Sequence, residues 1–563
     1  MRYAYLLLFT TFMFASCLDE SPKSSLDDQQ VYTSAKDVYL NTVANLYNYI
    51  GGDADSQGLQ GTYKGVYDYN TFTTDEAMIP IRGGDWYDGG FWENLYLHRW
   101  KADDAALYET WKYLYKVVVF SNEALSTIDK YKHLLTEDQY KHYQAEARAV
   151  RSLYYFYLMD MFGNIPLATT VNENVQNNDQ KSRPEIYKFI VKELQETEPL
   201  LPEGHSNQEG IYYGRVTRSV ANFLLAKLML NAEVYSDSDW TDNQQPDGSQ
   251  IIFNIDGQQL NAWQACKVYC DKVTADGFNL SADYLNNFTV HNETSMENIF
   301  VIPMDKLIYR NQFQYLFRSR HYAHGGAVGT SSENGACATV STVRTFGYGS
   351  SNVDKRYAYN FYSDTVRVDG KIVRLENGDP LIYHPLAAEI NLTNSPYIKT
   401  AGARMAKYEV DRNAYNDGKS PDNDIVLFRY ADVLLMKAEA EVRNGESGDA
   451  EMNKVRSRSG MGNKSATLDN ILSERLMELM WEGWRRNDLI RFGRFHQSYD
   501  QRTAPQAIKQ QLLTSINEVR SFFFYVTDRL FVLLEQWILW HNHDRFLLRY
   551  LHYVLRNILI IYY

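Results

Sequence analysis

Cysteine is scarce in this chain. There are four in 563 residues, Cys17, Cys266, Cys270 and Cys337, too few to frame a fold of this length with disulfides. Cys266 and Cys270 lie four apart in a helically patterned segment and share a face. With no histidine beside them they make a poor zinc site and read as small core residues, so no metal is expected. Basic residues are in the minority, Lys+Arg 57 against Asp+Glu 70, for a net charge of −13. Nucleic acid demands a basic footprint, so it is not an expected partner. Long apolar runs are also missing. The amino-terminal run from Ala4 to Phe14 falls short of the roughly 20 residues that span a bilayer. Catalytic signatures are absent as well: no H-E-x-x-H, no G-x-S-x-G and no G-x-x-x-x-G-K-[ST] occurs. The chain therefore reads as a non-enzyme without a cofactor.

Tyrosine, by contrast, is abundant: 44, against Phe 26 and Trp 10. It joins a flat apolar face to a hydroxyl, which suits half-buried helix positions and wet binding surfaces alike. The amino terminus, "MRYAYLLLFTTFMFASC", sets Arg2 before the apolar run and small residues before Cys17. That is the layout of a secretory signal peptide over residues 1–16. "FASC" is similar to the bacterial lipobox, whose cysteine becomes the lipidated first residue, which makes Cys17 the predicted lipidation site.

The body predicts paired helices. In "AEARAVRSLYYFYLMDMF" Ala145, Ala149, Leu153, Phe156 and Met159 form one apolar stripe. "RPEIYKFIVKELQETEPLLP" places Pro184 in a first turn and closes at Pro202. "TRSVANFLLAKLMLNAEVY" and "WQACKVYCDKV" form a later pair. "DIVLFRYADVLLMKAEAEVR" puts Leu427, Tyr430, Leu434, Ala438 and Val442 on one helical face, and "LDNILSERLMELMWEGWRRNDLIRF" follows. These pairs have the size of tetratricopeptide units but no regular 34-residue period. Residues 305–425 are loop-like, rich in Gly, Asn, Ser, Asp and Tyr, a length that is usually functional. Within them Asp369-Gly370 signals a hairpin in "DTVRVDGKIVRL".

Five ordered blocks resemble one family. "AEARAVRSLYYFYLMDMFGNIPL" (145–167), "GRVTRSVANFLLAKLML" (214–230), "FRYADVLLMKAEAEVRNG" (428–445), "MNKVRSRSG" (452–460) and "SERLMELMWEGWRRNDLIRFGRF" (473–495) are similar to the SusD/RagB lipoproteins. With the lipobox, the resemblance covers residues 17 to 495. It implies a mostly α, SusD-like fold: tetratricopeptide-like helix pairs with a loop-rich ligand face. The expected organisation is an amino-terminal region at 17–235 with the first pairs, then a region at 236–497 with the loop-rich insert and last pair. The acidic "LDESPKSS" after Cys17 resembles the surface-export signals of Bacteroidetes lipoproteins. The resemblance further implies a surface-exposed protein anchored to the outer membrane, which binds a glycan and delivers it to a SusC-type TonB-dependent transporter.

The candidate ligand site is "TTDEAMIPIRGGDWYDGGFWENLY". Aromatic faces cover the C–H patches of a sugar, while Arg, Asp and Asn bond its hydroxyl rim. Arg82, Trp86, Tyr87, Trp92, Asp75 and Asn94 are the predicted ligand-binding residues. The competing reading pins Trp92 and Trp86 to the core as loop anchors. Tyr322, His324 and Asn334 are further candidates from the middle loops. Glu474, Glu478 and Glu482, four apart, read as a structural ion network with Arg475, Arg485, Asp488 and Arg491. As an acid/base pair they would instead make a surface glycoside hydrolase. A tetratricopeptide-like adaptor that binds only protein is the other alternative. The acidic loop at 411–424 breaks the calcium-loop spacing and reads as solvated.

Residues 498–563 hold none of the 32 glycines, and Pro505 is their one proline. The resemblance implies an extended, Pro- and Asn-rich ending in their place. The tail reads as atypical, the product of a sequence discontinuity such as a frameshift, and is expected to pack poorly on the body.

Overall fold

The computed structural model describes residues 31–502, except 53–57, 102, 172–179, 241, 243 and 310. The predicted signal peptide at 1–16, Cys17 and the tail from residue 503 lie outside the described residues.

The scaffold is a succession of helices, each packed on the next, whose ends are written locally. Helix Glu137–Phe162 starts at a capping box, Thr136 with Gln139, and stops at Gly163 with φ of 72°. Helix Arg183–Thr197 has its own box, Ser182 with Glu185, and a proline in its first turn. Asn261 and Gln264 box the start of Ala262–Ala275. Helix Ala105–Lys130 packs on 137–162, which packs on 183–197. The order continues through Arg218–Leu230, 262–275 and Tyr430–Arg443 to Asp449–Arg458 and Leu468–Leu479. The predicted helix pairs are present, and the mostly helical class holds.

One boundary is corrected. Leu427 is not on a helix: Ile425–Arg429 is a fully buried strand, and the helix begins at Tyr430. Its apolar run is rich in strand-forming side chains and pairs antiparallel with Asn298–Ile302, which is equally buried. This strand pair closes the neck of the loop-rich region, which leaves the scaffold after helix 262–275 and returns at helix 430–443. The Asp369-Gly370 hairpin forms as predicted, Arg367–Val368 against Lys371–Ile372. Both turn residues have positive φ, 51° and 76°.

Charge is buried deep in the scaffold, and it is matched. Arg429 lies between Glu297 at 2.7 Å, Glu478 at 2.6 Å and Glu482 at 2.7 Å. Arg356 joins Asp354, Glu474 and Glu478 at 2.8, 2.7 and 2.8 Å. Arg458, Arg456 and Lys407 complete the cluster. Five cations thus meet five carboxylates. Glu474, Glu478 and Glu482 are buried and held by cations, a structural role as predicted, but their partners are Arg356, Arg429, Arg456, Arg458 and Lys407 rather than the predicted Arg475, Arg485 and Arg491. Burial pushes the Glu478 carboxyl up, but Arg458, Arg429 and Arg356 together hold it well below the usual range. A second cluster joins Arg475 to Asp432 and Asp488, and Arg491 to Glu439 and Asp488.

Candidate functional site

The aromatic loop is bent by its backbone. Gly83, Gly89 and Gly90 take positive φ, and so do Trp86 at 62° and Asp88 at 43°. A left-handed tryptophan is costly and persists only where its surroundings hold it. Two contacts do so here. The Trp86 indole Nε1 donates to the Glu333 carbonyl at 2.9 Å. Its ring lies over Gly335, where a Cβ would stand 2.6 Å from Trp86 Cζ2.

Arg82 is placed differently from the prediction. It is fully buried rather than on a sugar-facing rim. It donates to the Gly335 carbonyl at 3.3 Å, to Ile398 at 3.1 Å and to Ala401 at 3.0 Å, so it ties the 82–92 loop to the 335 and 397–401 segments. Burial, and next the Arg404 charge, bring its pKa down to about 9. Trp92 is likewise a core residue with 0% exposure, edge-on to Phe72, Phe91 and Trp86. Its Nε1 donates to Asp88 at 2.9 Å. It sits in the first turn of helix Phe91–Tyr96, which turns the ring inward. Asp75 accepts from Arg485 Nε and Nη2, both at 2.7 Å, and braces the last helix. Asn94 is half-buried in helix 91–96, where its carbonyl accepts from the Arg99 N–H at 2.7 Å. Arg82, Trp92 and Asp75 therefore support the loop from behind.

Tyr87 points outward, 56% exposed, with Trp86 half-buried beside it. Tyr322, 50% exposed, joins them from the middle loops. Burial and then Asp85 raise its phenol's pKa, while the Lys399 charge opposes them; Asp85 and Lys399 form an ion pair. Tyr397, 40% exposed, stands two residues from Lys399 with its ring 4.0 Å from that of His384. His324 and Asn334 are buried. Exposed rings thus come from three segments that Arg82, Arg404 and the Asp85–Lys399 pair tie together. Tyr397 and Lys399 were missed in the sequence reading; a tyrosine and a lysine in the Pro- and Ser-containing "NSPYIKT" loop were the available signal.

Two family profiles divide the chain between them. One described as "SusD family" matches residues 249–522, and one described as "Starch-binding associating with outer membrane" matches residues 17–230. The chain belongs to the SusD family. The starch-binding protein SusD of Bacteroides thetaiotaomicron is 25% identical over 481 residues, 79% of each chain. A SusD-like protein of Bacteroides ovatus is 25% identical over 525 residues, 88% of this chain and 83% of that one. Among solved structures, surface glycan-binding protein A from Bacteroides thetaiotaomicron in complex with laminarihexaose has a TM-score of 0.62 at 19% identity, over 87% of this chain and 96% of that one. That likeness shows the SusD fold. The SusD-family match also runs to residue 522, past Phe495, where the sequence resemblance ends. Tyr499–Arg502 pack on the body: Ser341 donates to Asp500 at 2.9 Å, and the buried Arg502 donates to the Thr73 and Phe495 carbonyls.

No group of three or more His, Cys, Asp or Glu that could hold a metal occurs among the described residues. In the 411–424 loop, Asp411 accepts from its own loop's backbone at Asn413 and Asp422, and Asp422 pairs with Lys306 at 2.7 Å. No helix of the described residues is long and apolar enough to cross a membrane.

Proposed function

We propose that this SusD-family chain is an outer-membrane lipoprotein, anchored through Cys17 and exposed at the cell surface. It binds a glycan on the loop face and delivers it to a SusC-type TonB-dependent transporter. The observation that carries the reading is the patch of exposed rings, Tyr87, Tyr322 and Tyr397, beside Trp86 and the Asp85–Lys399 pair. Rings present the apolar faces and the ion pair presents donors and acceptors, the two things a sugar ring offers partners for. The names of the relatives, a starch-binding protein and a laminarihexaose-bound surface protein, support the same class of ligand. The match that begins at residue 17 supports processing at Cys17.

The ligand-contacting residues in this reading are Trp86, Tyr87, Tyr322 and Tyr397, with Asn94 at the edge. A glycan array with the full chain tests it: Tyr87→Ala and Tyr322→Ala are expected to lose signal without a change in melting temperature. Binding to no glycan, or binding indifferent to every one of these rings, overturns the reading. Cys17→Ala is expected to leave the protein unprocessed or soluble. Normal cleavage and outer-membrane fractionation of that variant would remove the anchor from the proposal. Co-purification with a TonB-dependent transporter from native membranes tests the delivery step.

A further inference from the structure

Beneath the loop face three buried arginines have no carboxylate partner among the described residues. Arg82 is 1% exposed, Arg320 5% and Arg404 0%. Arg82 donates to carbonyls as described. Arg404 donates to the Ser319 carbonyl at 3.0 Å and the Lys399 carbonyl at 3.1 Å, with its guanidinium 5.0 Å from the centre of the Tyr383 ring. Arg320 has least: its Nη2 donates to Thr330 Oγ1 at 3.3 Å, and its buried Nε has no partner. The groups of opposite sign that act on it are the phenols of Tyr362 and Tyr383, neutral at ordinary pH.

The surroundings add no compensation. His321 and His324 are held neutral: burial and then Arg404 bring the first to about 4, and burial and then Arg320 bring the second to about 3. The neighbouring Arg318 takes Asp68 for itself, at 2.6 and 3.0 Å. Asp85 pairs with Lys399. Glu333 is half-buried, and the cations that act on it are Arg318 and Lys419. Next to Arg320, Asn334 donates its backbone N–H to the Arg320 carbonyl at 2.8 Å. Its side chain is 1% exposed, yet neither its Oδ1 nor its Nδ2 has a partner, and Ser332 Oγ also lacks one.

A buried charge without a partner costs several kcal/mol, and a buried amide without partners adds to that cost. Elsewhere among the described residues buried arginines meet carboxylates, save Arg502, which donates to the Thr73, Phe495 and Gln497 carbonyls. On the loop face the missing partner is best supplied from outside. We infer that the loop face takes an anionic glycan, one that bears uronate carboxylates or sulfate esters, and that Arg320 with Asn334 receives its anionic oxygens. A guanidinium matches a carboxylate or sulfate with two parallel donors, and the Asn334 amide adds a third. Arg82 and Arg404 contribute positive potential from below. The net charge of −13 confines that attraction to this face, since an anion is repelled by most of the rest.

The inference rests on the glycan reading, and its test separates the two. The full chain is titrated calorimetrically with oligogalacturonides, chondroitin sulfate oligosaccharides, laminarihexaose and maltohexaose, at low and high salt. At least one anionic class is expected to bind about tenfold tighter than both neutral hexaoses, and to weaken as salt rises. The carboxylate and sulfate arms tell which anion is read. Arg320→Met is expected to lower that affinity about tenfold with no loss of melting temperature. Asn334→Asp, which sets a carboxylate beside Arg320, is expected to do the same and serves if Arg320→Met fails to fold. Neutral hexaoses that bind as tightly as both anionic classes, or anionic binding that survives both variants, overturn the anionic assignment and leave the glycan reading standing. Binding of none of the four overturns both.

Discussion

Arg429 and Arg320 are both buried, and their surroundings differ in kind. Arg429 touches three carboxylates within 2.7 Å, while Arg320 bonds one hydroxyl at 3.3 Å. In the scaffold, charge pins helices to one another, and each ion is committed. Under the loop face, charge is held in place by carbonyls and kept uncommitted. A matched buried pair stabilises weakly but is very costly to break, whereas an unmatched ion is costly as it stands. The same residue type therefore marks structure in one region and a ligand in the other.

The largest effect is expected where the matching is broken. Arg429→Met strands Glu297, Glu478 and Glu482, so a loss of about 3–5 kcal/mol or more is expected, read as loss of the cooperative thermal transition. An unchanged transition would show that the cluster is not a committed network. Trp92→Ala comes next. It empties a closed site and is expected to cost about 3–5 kcal/mol in chemical denaturation, with glycan binding lost only through unfolding.

Acid sharpens the contrast further. Glu478 and Asp488 sit below the usual carboxylate range in the folded chain. Their stabilisation is present above the unfolded value of about 4 and is lost as pH falls below it. Glu76 has the opposite sign: burial first raises it to about 8, against the Trp481 N–H and Arg485. Its contribution is complete below about 4 and erodes as pH rises toward 8. Melting temperature is therefore expected to peak in between, and Glu76→Gln is expected to raise it at pH 8 but not at pH 4. A Glu76→Gln effect equal at both pH values would refute that assignment.

Smaller again is the loss of an exposed ring. Tyr87→Ala or Tyr322→Ala is expected to cost about 1–3 kcal/mol of glycan affinity, on the scale of other aromatic stacking, at constant melting temperature. The smallest stability effect belongs to Arg320→Met, which removes a charge that no carboxylate answers among the described residues. A melting temperature lowered as far as by Arg429→Met would erase the distinction between the two regions.

Much of the scaffold was legible because its signals are local. Capping residues such as Ser182 and Glu185, and the stripe from Ala145 to Met159, need only near neighbours to be read. Strand Ile425–Arg429 was misplaced because its apolar residues also satisfy the helical spacing of the segment that follows, and only its partner at 298–302 decides. The aromatic loop was found, but its division of labour was not. Trp86 and Trp92 look alike among glycines, and burial depends on which lies in the first turn of helix 91–96 and which crosses Gly335. In "RSRH" Arg318 and Arg320 are equivalent on paper. Asp68, distant in sequence, makes one an anchor and leaves the other open.

The strand pair at the neck has a consequence for how this face changes over time. Ile302 and Ile425 face each other across it, so residues 303–424 form one closed excursion from the helical stack. The entropy of closing such an excursion grows only with the logarithm of its length, about 0.6 kcal/mol for each doubling. Insertions between its anchored residues therefore cost the scaffold little, while Asp354, Arg356 and Lys407 must keep their places in the ion cluster. A lineage can rewrite the recognition loops between those fixed points while the stack beneath, and the ions that tie the excursion to it, stay as they are.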